Sequence, residues 1–154
     1  RSKFMGANAH EEIRNLLGRY CELMDAGDFA GLASLFSDGR LADDAGNVFA
    51  VGAEQIQAMW ERQTMTYDGS PRTRHITANP VIEVDESNGT ATCSSSYVVF
   101  QGVDDFGFQP IVSGRYNDRF TRGDDATWRF TERRYAVDHV GDLSHHLRMQ
   151  VTES

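Results

Sequence analysis

Positive charge is scarce in this chain: fifteen Lys and Arg stand against twenty-three Asp and Glu, a formal net charge of −8 over 154 residues. Phosphate backbones are gripped by basic stripes, and none is present, which excludes nucleic acid as a partner. Long apolar runs are missing too. Nothing approaches the roughly eighteen consecutive apolar residues of a membrane span, so no membrane association is expected. The first nine residues, Arg1 to Ala9, lack the apolar core of a signal peptide and read as a frayed or vector-derived terminus. Cysteine is limited to Cys21 and Cys93, one on a predicted helix and one on a predicted strand. Two such residues build no disulfide framework; reduced core thiols and a cytoplasmic location are the expectation. Pro/Ser-rich linkers, repeats and low-complexity tracts are also absent, so one domain is expected over about residues 10–140, with 141–154 as a tail.

What is present suffices for a core and a pocket: 40% hydrophobic residues, with nine Phe, five Tyr and two Trp. Ile13, Leu16, Leu17, Tyr20 and Met24 recur at the three-and-four spacing of one buried stripe, which predicts a helix from about His10 to Ala26. Gly27 suits its C-terminal cap, and Asp28 the N-cap of a short second helix carrying Phe29, Leu32, Leu35 and Phe36. Two short strands are expected between Leu41 and Val51, around the turn Asp44-Ala45-Gly46-Asn47. A third helix follows from Glu54 to Met65, with Ile56, Met59 and Trp60 inward. From Arg72 the period falls from 3.6 to 2, which predicts four strands at about 73–84, 90–101, 109–122 and 127–140. Asn88-Gly89 and Gly123-Asp124-Asp125 supply hairpin turns. Helices followed by hairpin-linked strands imply an α+β fold, a cone-shaped curved antiparallel sheet with three helices closing a pocket.

Three residues carry candidate chemistry. Asp25 falls in the last turn of the first helix, where the helix dipole disfavours an anion by a few tenths to about 1 kcal/mol. His75 opens the first long strand and shares a face with Thr77 and Asn79. Tyr20 lies on the buried stripe. Taken singly, each is explained by packing or solvation; together they form a minimal proton-transfer set. His139, His145 and His146 near the C-terminus are not expected to bind metal, because adjacent histidines point apart on any regular element. The tail is expected instead to fold over the pocket mouth, anchored by Leu143 and Leu147. Glu22, Glu61 and Glu132 read as surface charge, and Arg115 and Arg119 as solvent-side or interface residues.

The element order, with Tyr20-x4-Asp25, Arg74-His75-x3-Asn79 and the closing Gly114-Arg115-Tyr116, Trp128-Arg129-Phe130 and Arg133, resembles the SnoaL-like branch of the nuclear-transport-factor-2-like (cystatin-like) superfamily. Hexachlorocyclohexane dehydrochlorinase, bile-acid 7α-dehydratase and scytalone dehydratase are enzymes of that superfamily with a similar pattern. The resemblance implies His75 as base, Asp25 as the carboxylate that orients it, Tyr20 as hydrogen-bond donor and Arg133 as a holder of negative charge. No cofactor and no metal is expected, since a carbonyl or leaving group next to an acidic C–H is activation enough. The second long strand departs from the dehydratase pattern, offering Cys93, Ser95, Tyr97 and Val99 on one face, so no particular substrate is carried over.

A cofactor-independent lyase or isomerase is therefore expected, abstracting a proton from a small hydrophobic cyclic or aromatic molecule as in a dehydratase. Met24, Phe49, Trp60, Ser95, Tyr97, Tyr116 and Tyr135 are the expected substrate-binding wall. Two alternatives stand beside it: a ligand-binding protein without chemistry, and an assembly subunit resembling the small subunit of ring-hydroxylating dioxygenases. A homodimer is expected through the outer sheet face, where Val98, Phe100 and Phe120 are placed by strand alternation.

Overall fold

The computed structural model describes residues 8–154. Helix α1 (Ala9–Ala26) starts where the Asn8 side chain accepts from the Glu11 main-chain N–H at 3.0 Å, with Glu11 and Glu12 in the first turn complementing the dipole. Of the N-terminal stretch 1–9, residues 1–7 lie outside the described residues, whereas Asn8 and Ala9 cap and open this helix. It ends on Gly27 at φ 74°, whose N–H donates to the Met24 carbonyl while that of Asp28 reaches the Leu23 carbonyl. That pattern requires a left-handed residue. The position is closed to a side chain on a second count, since a Cβ there would stand 2.0 Å from the Gly69 carbonyl oxygen.

Asp28 caps α2 (Phe29–Ser34), and the chain then makes β1 (Arg40–Asp43), β2 (Val48–Val51) and α3 (Gly52–Gln63). The long strands are β3 (Thr73–Asp85), β4 (Thr90–Val103), β5 (Phe106–Arg122) and β6 (Trp128–Val140). They form one six-stranded curved sheet in the order β2-β1-β6-β5-β4-β3, with the helices packed on it. The fold is α+β as expected, with one difference: β1 runs parallel to β6, because the chain reaches it from α2 rather than through a hairpin. Bulges bend the long strands. In β3 the register shifts between Ala78 and Val81, where Asn79 takes φ 55° ahead of Pro80. Proline lacks the N–H that a central strand needs and is tolerated on this edge strand.

The bulge in the β5–β6 pairing decides which residues are inside. Phe120 pairs with Phe130 and Arg119 with Glu132, so Thr131 is extra. The extra residue resets the alternation, and Arg133 joins Phe130 on the inner face. There its guanidinium is fully buried, donating from Nε and Nη2 to the two carboxylate oxygens of Asp118 at 2.8 and 2.9 Å. The Tyr116 and Tyr20 rings lie 3.7 and 4.3 Å from the guanidinium carbon. Burial works against the charge on Arg133, and Asp118 more than restores it, so the guanidinium holds its proton firmly. Two sequence expectations change here. Phe120 belongs to the core, against Phe130, and not to the outer face. Glu132 is buried, held between Arg40 and Arg134 at 2.6 Å each.

Removing one member of a buried pair strands the other, at about 3–5 kcal/mol, whereas replacing both with apolar residues is close to neutral. Asp118→Ala is therefore expected to lower the stability measured by urea unfolding by about that amount, and Asp118→Leu combined with Arg133→Met to recover most of the loss.

Candidate active site

Helix α1 and strand β3 meet at Asp25. Its Oδ1 accepts from the Thr73 hydroxyl at 2.7 Å and from His75 Nδ1 at 2.6 Å, and its Oδ2 from the His75 main-chain N–H at 2.9 Å. Burial acts to raise this carboxyl's pKa, but the bonds and charge from His75, with Thr73, outweigh it, and the net direction is down. Asp25 is thus an ionised carboxylate that can only accept, which in the neutral form of His75 puts the ring proton on Nδ1. Nε2, on the far side of the ring, is left with its lone pair toward the cavity that His75 lines. The docking is local and specific: the Ser70 hydroxyl donates to the Asp25 carbonyl at 3.2 Å, beside the close Gly27–Gly69 approach.

That cavity measures about 610 Å³ and sits between the helices and the inner sheet face. Met24, Phe49, Trp60, Tyr97, Tyr116 and Tyr135 line it, together with Tyr20, Met59, Val99, Val112 and Val137. The Tyr20 and Tyr135 hydroxyls are 2.8 Å apart, so one donates to the other and the pair retains a second proton to offer. Burial pushes the Tyr20 phenol up to about 12 against the opposing effects of Arg133 and the Tyr135 bond, and burial also raises Tyr116 and Tyr135. These are donors, not bases. Tyr97 stacks on Tyr116 with centroids 4.3 Å apart and donates to the Ala136 carbonyl at 3.1 Å, forming a flat aromatic floor.

Two residues expected at the site lie elsewhere. Arg133 does not reach the cavity: both tyrosines stand in front of it and Asp118 takes its fork. Its part is to pack against the Tyr20 ring from behind. Ser95 is buried on the inner face of β4, but its hydroxyl has no partner and does not line the cavity. Among the described residues no group of three or more His, Cys, Asp or Glu could hold a metal ion, and no helix is long and apolar enough to cross a membrane.

His146 is the residue that sequence reasoning passed over. Leu143, His146, Leu147 and Met149 line the cavity, so the C-terminal segment is one of its walls. It is stitched down by main-chain and side-chain bonds: Met65 N–H to the His146 carbonyl at 2.8 Å, and Arg148 N–H to the Gln63 carbonyl at 2.8 Å. The Tyr67 hydroxyl and the Gln101 amide both donate to the His145 carbonyl, at 2.7 and 2.9 Å. Adjacent histidines do point apart, as expected: His145 stacks outside on Phe106, and His146 turns in to face His75 with ring centroids 6.3 Å apart. The available signal was the Leu143-x2-His146-Leu147 spacing, which places a polar ring among apolar anchors.

The family model for the SnoaL-like domain matches residues 6–134, and the chain belongs to that family. Rv3472 of Mycobacterium tuberculosis, a protein of unknown function solved as an Asp-to-Asn variant, is 30% identical over 85% of this chain and 72% of its own, with a TM-score of 0.69. A nuclear-transport-factor-2-like protein with a cystatin-like fold from Novosphingobium aromaticivorans is 27% identical over 83% and 80% of the two chains, with a TM-score of 0.68. A protein from the same organism provisionally named a scytalone dehydratase covers 94% of this chain and 90% of its own at a TM-score of 0.70; at 17% identity it shows the shared fold alone. No curated protein matches the chain significantly.

Burial pulls His146 down to about 3, with the charge on His75 acting the same way and Asp25 opposing. The folded pKa lies below the ordinary value of 6.5, so the unfolded chain takes up a proton that the folded chain refuses. The resulting stability is complete above about pH 6.5 and is lost as pH falls toward 3. Asp25 is also depressed, but from 3.8, so its own contribution disappears at lower pH. Melting temperature is therefore expected to fall on acidification from pH 6.5 to 4.5, and His146→Leu to flatten that slope.

Proposed function

We propose that the protein is a cofactor-independent lyase or isomerase that abstracts a proton from carbon in a small, hydrophobic, cyclic or aromatic molecule. One observation carries this reading: an oriented imidazole, held at 2.6 Å by an ionised carboxylate, faces an aromatic-walled cavity of about 610 Å³. Nε2 of His75 takes the proton, and the imidazolium that forms is stabilised by Asp25, which also fixes the tautomer beforehand. The Tyr20–Tyr135 pair supplies a proton or hydrogen bond to the oxygen that gains charge or leaves. Membership in the SnoaL-like family, and a fold shared with a protein provisionally named a dehydratase, are consistent with elimination of water as the overall reaction.

A second reading has a specific observation behind it. Ile76, Val81 and Phe108 are exposed, and Phe108 stacks on Phe100. Such a face suits association with another chain, either a second copy in a homodimer or a larger partner for which this domain serves assembly. The two readings are compatible for a homodimer and opposed for a purely structural subunit.

Incubation with a panel of cyclic ketones and β-hydroxy ketones in D2O, followed by mass spectrometry, reads both deuterium uptake and loss of water. Asp25→Asn and His75→Ala are each expected to slow turnover by about 10²–10⁴-fold in a protein that still folds, the first with a melting temperature lowered by several degrees as the charge-assisted bonds to β3 weaken. Variants that retain turnover but unfold readily would sink the catalytic reading. Tight binding of panel members that are all released unchanged would leave a ligand carrier.

A further inference from the structure

Outside the Asp25–His75–Tyr20 constellation, the cavity holds one more group that packing does not account for. His146 is 4% exposed; its Nδ1 is buried without a hydrogen-bond partner, which leaves Nε2 as the ring nitrogen on the accessible, cavity-lining edge and the one placed to donate. Its own main chain is fully engaged, the N–H donating to the Leu143 carbonyl at 3.0 Å and the carbonyl accepting from Met65. The ring, in contrast, is left free among Leu143 and Leu147 and lines the cavity across from His75. A leucine would fill that place at lower cost, because a buried polar group without a partner costs about 1–3 kcal/mol. An imidazole at this point has its return when a ligand occupies the cavity.

We infer that His146 is a second functional imidazole of this site, a ligand-binding residue whose neutral ring donates a hydrogen bond to a carbonyl oxygen of the substrate while His75 faces the adjacent C–H. The inference rests on the reading of His75 as the reacting base. In the step itself the C–H bond breaks and an N–H bond forms at His75 Nε2. The electron pair of the broken bond moves into the carbon–carbon bond and on to the carbonyl oxygen, which becomes an enolate oxygen held by the His146 N–H. No oxidant or co-reactant enters. The charge distribution favours a neutral donor over a cationic one at this position: His75 becomes positive during the step, and a second cation 6.3 Å away, centroid to centroid, would oppose it. Burial and that same neighbour keep His146 unprotonated. Neutral imidazole is an effective electrophile for a carbonyl when it is fixed in place.

The geometry also names the chemical class. The ring of His146 stands on the tail wall and that of His75 on the sheet, so a ligand spanning them needs a carbonyl next to an acidic C–H. The aromatic floor of Tyr97 and Tyr116 favours a flat ring carrying both.

The test compares two probes of nearly the same shape, 2-indanone and indane, which differ by one carbonyl oxygen. Binding to the full chain is followed by tryptophan fluorescence, and deuterium uptake by 2-indanone in D2O by NMR. The wild-type protein is expected to favour the ketone, and His146→Leu to bind it about ten-fold more weakly while holding indane within about two-fold. His146→Gln, which restores a donor, is expected to recover part of the preference and guards against a folding defect in the leucine variant. His75→Ala is expected to abolish deuterium uptake but keep the ketone preference. A wild-type protein without that preference, or a His146→Leu protein that retains it, overturns the inference. Absence of deuterium uptake together with a preference that disappears in His146→Leu would instead remove the role of His75 as base and leave His146 as the oxygen-holding residue.

Discussion

The clasp of Asp25 on the first residues of β3 is the constraint on which the site depends. One carboxylate accepts from a hydroxyl, a main-chain N–H and an imidazole, and these belong to a strand some fifty residues further along the chain. An anion at a helix C-terminus is disfavoured by the dipole, but hydrogen bonds to a charged group contribute about 1.5–3 kcal/mol each, so three of them offset the penalty several times over. The same contact that closes the helix onto the sheet sets the histidine tautomer. Folding and the orientation of the His75 ring are therefore one event.

A second layer supports the first from behind. Arg133 and Asp118, buried together, form a rigid plug under the Tyr20 and Tyr116 rings. Their charges stay out of the cavity, and its floor remains aromatic and apolar. The buried cation still acts at a distance, opposing the rise that burial imposes on the Tyr20 phenol. A positive charge one ring away from the donor hydroxyl makes it a better proton donor without admitting a water-seeking group to the pocket.

Much of this was legible in the sequence. The amphipathic stripe of α1, the Gly27 stop and the change to period 2 at Arg72 are local signals, and they place Tyr20, Asp25 and His75 on elements that face one another in this fold. Arg133 shows where such reading fails. Its inward direction was as expected, but Asp118 on the neighbouring strand takes its fork and the Tyr20 and Tyr116 rings stand between it and the cavity, and such cross-element contacts leave no mark in the local pattern. Glu132 was misread because Arg40, which helps to bury it, comes from a strand remote in sequence. His146 is a different case: the tail has no period, and the burial of that ring follows from bonds to Met65, Tyr67 and Gln101, all remote in sequence.

The stitched C-terminal segment divides the labour of the pocket between two unlike materials. Eight of the twenty-four residues around the cavity come from beyond Gly141, and the segment is held largely through its own main chain, by bonds to Met65, Gln63, Tyr67 and Gln101. The groups that carry the proposed proton transfer come instead from the helix and the sheet, where Asp25, His75 and Tyr20 are each tied to packed neighbours. On the proposed reading, selectivity can therefore be rewritten along a short ribbon of chain while the Asp25–His75–Tyr20 constellation is inherited intact. A lineage built on this plan can change what it recognises far faster than what it does.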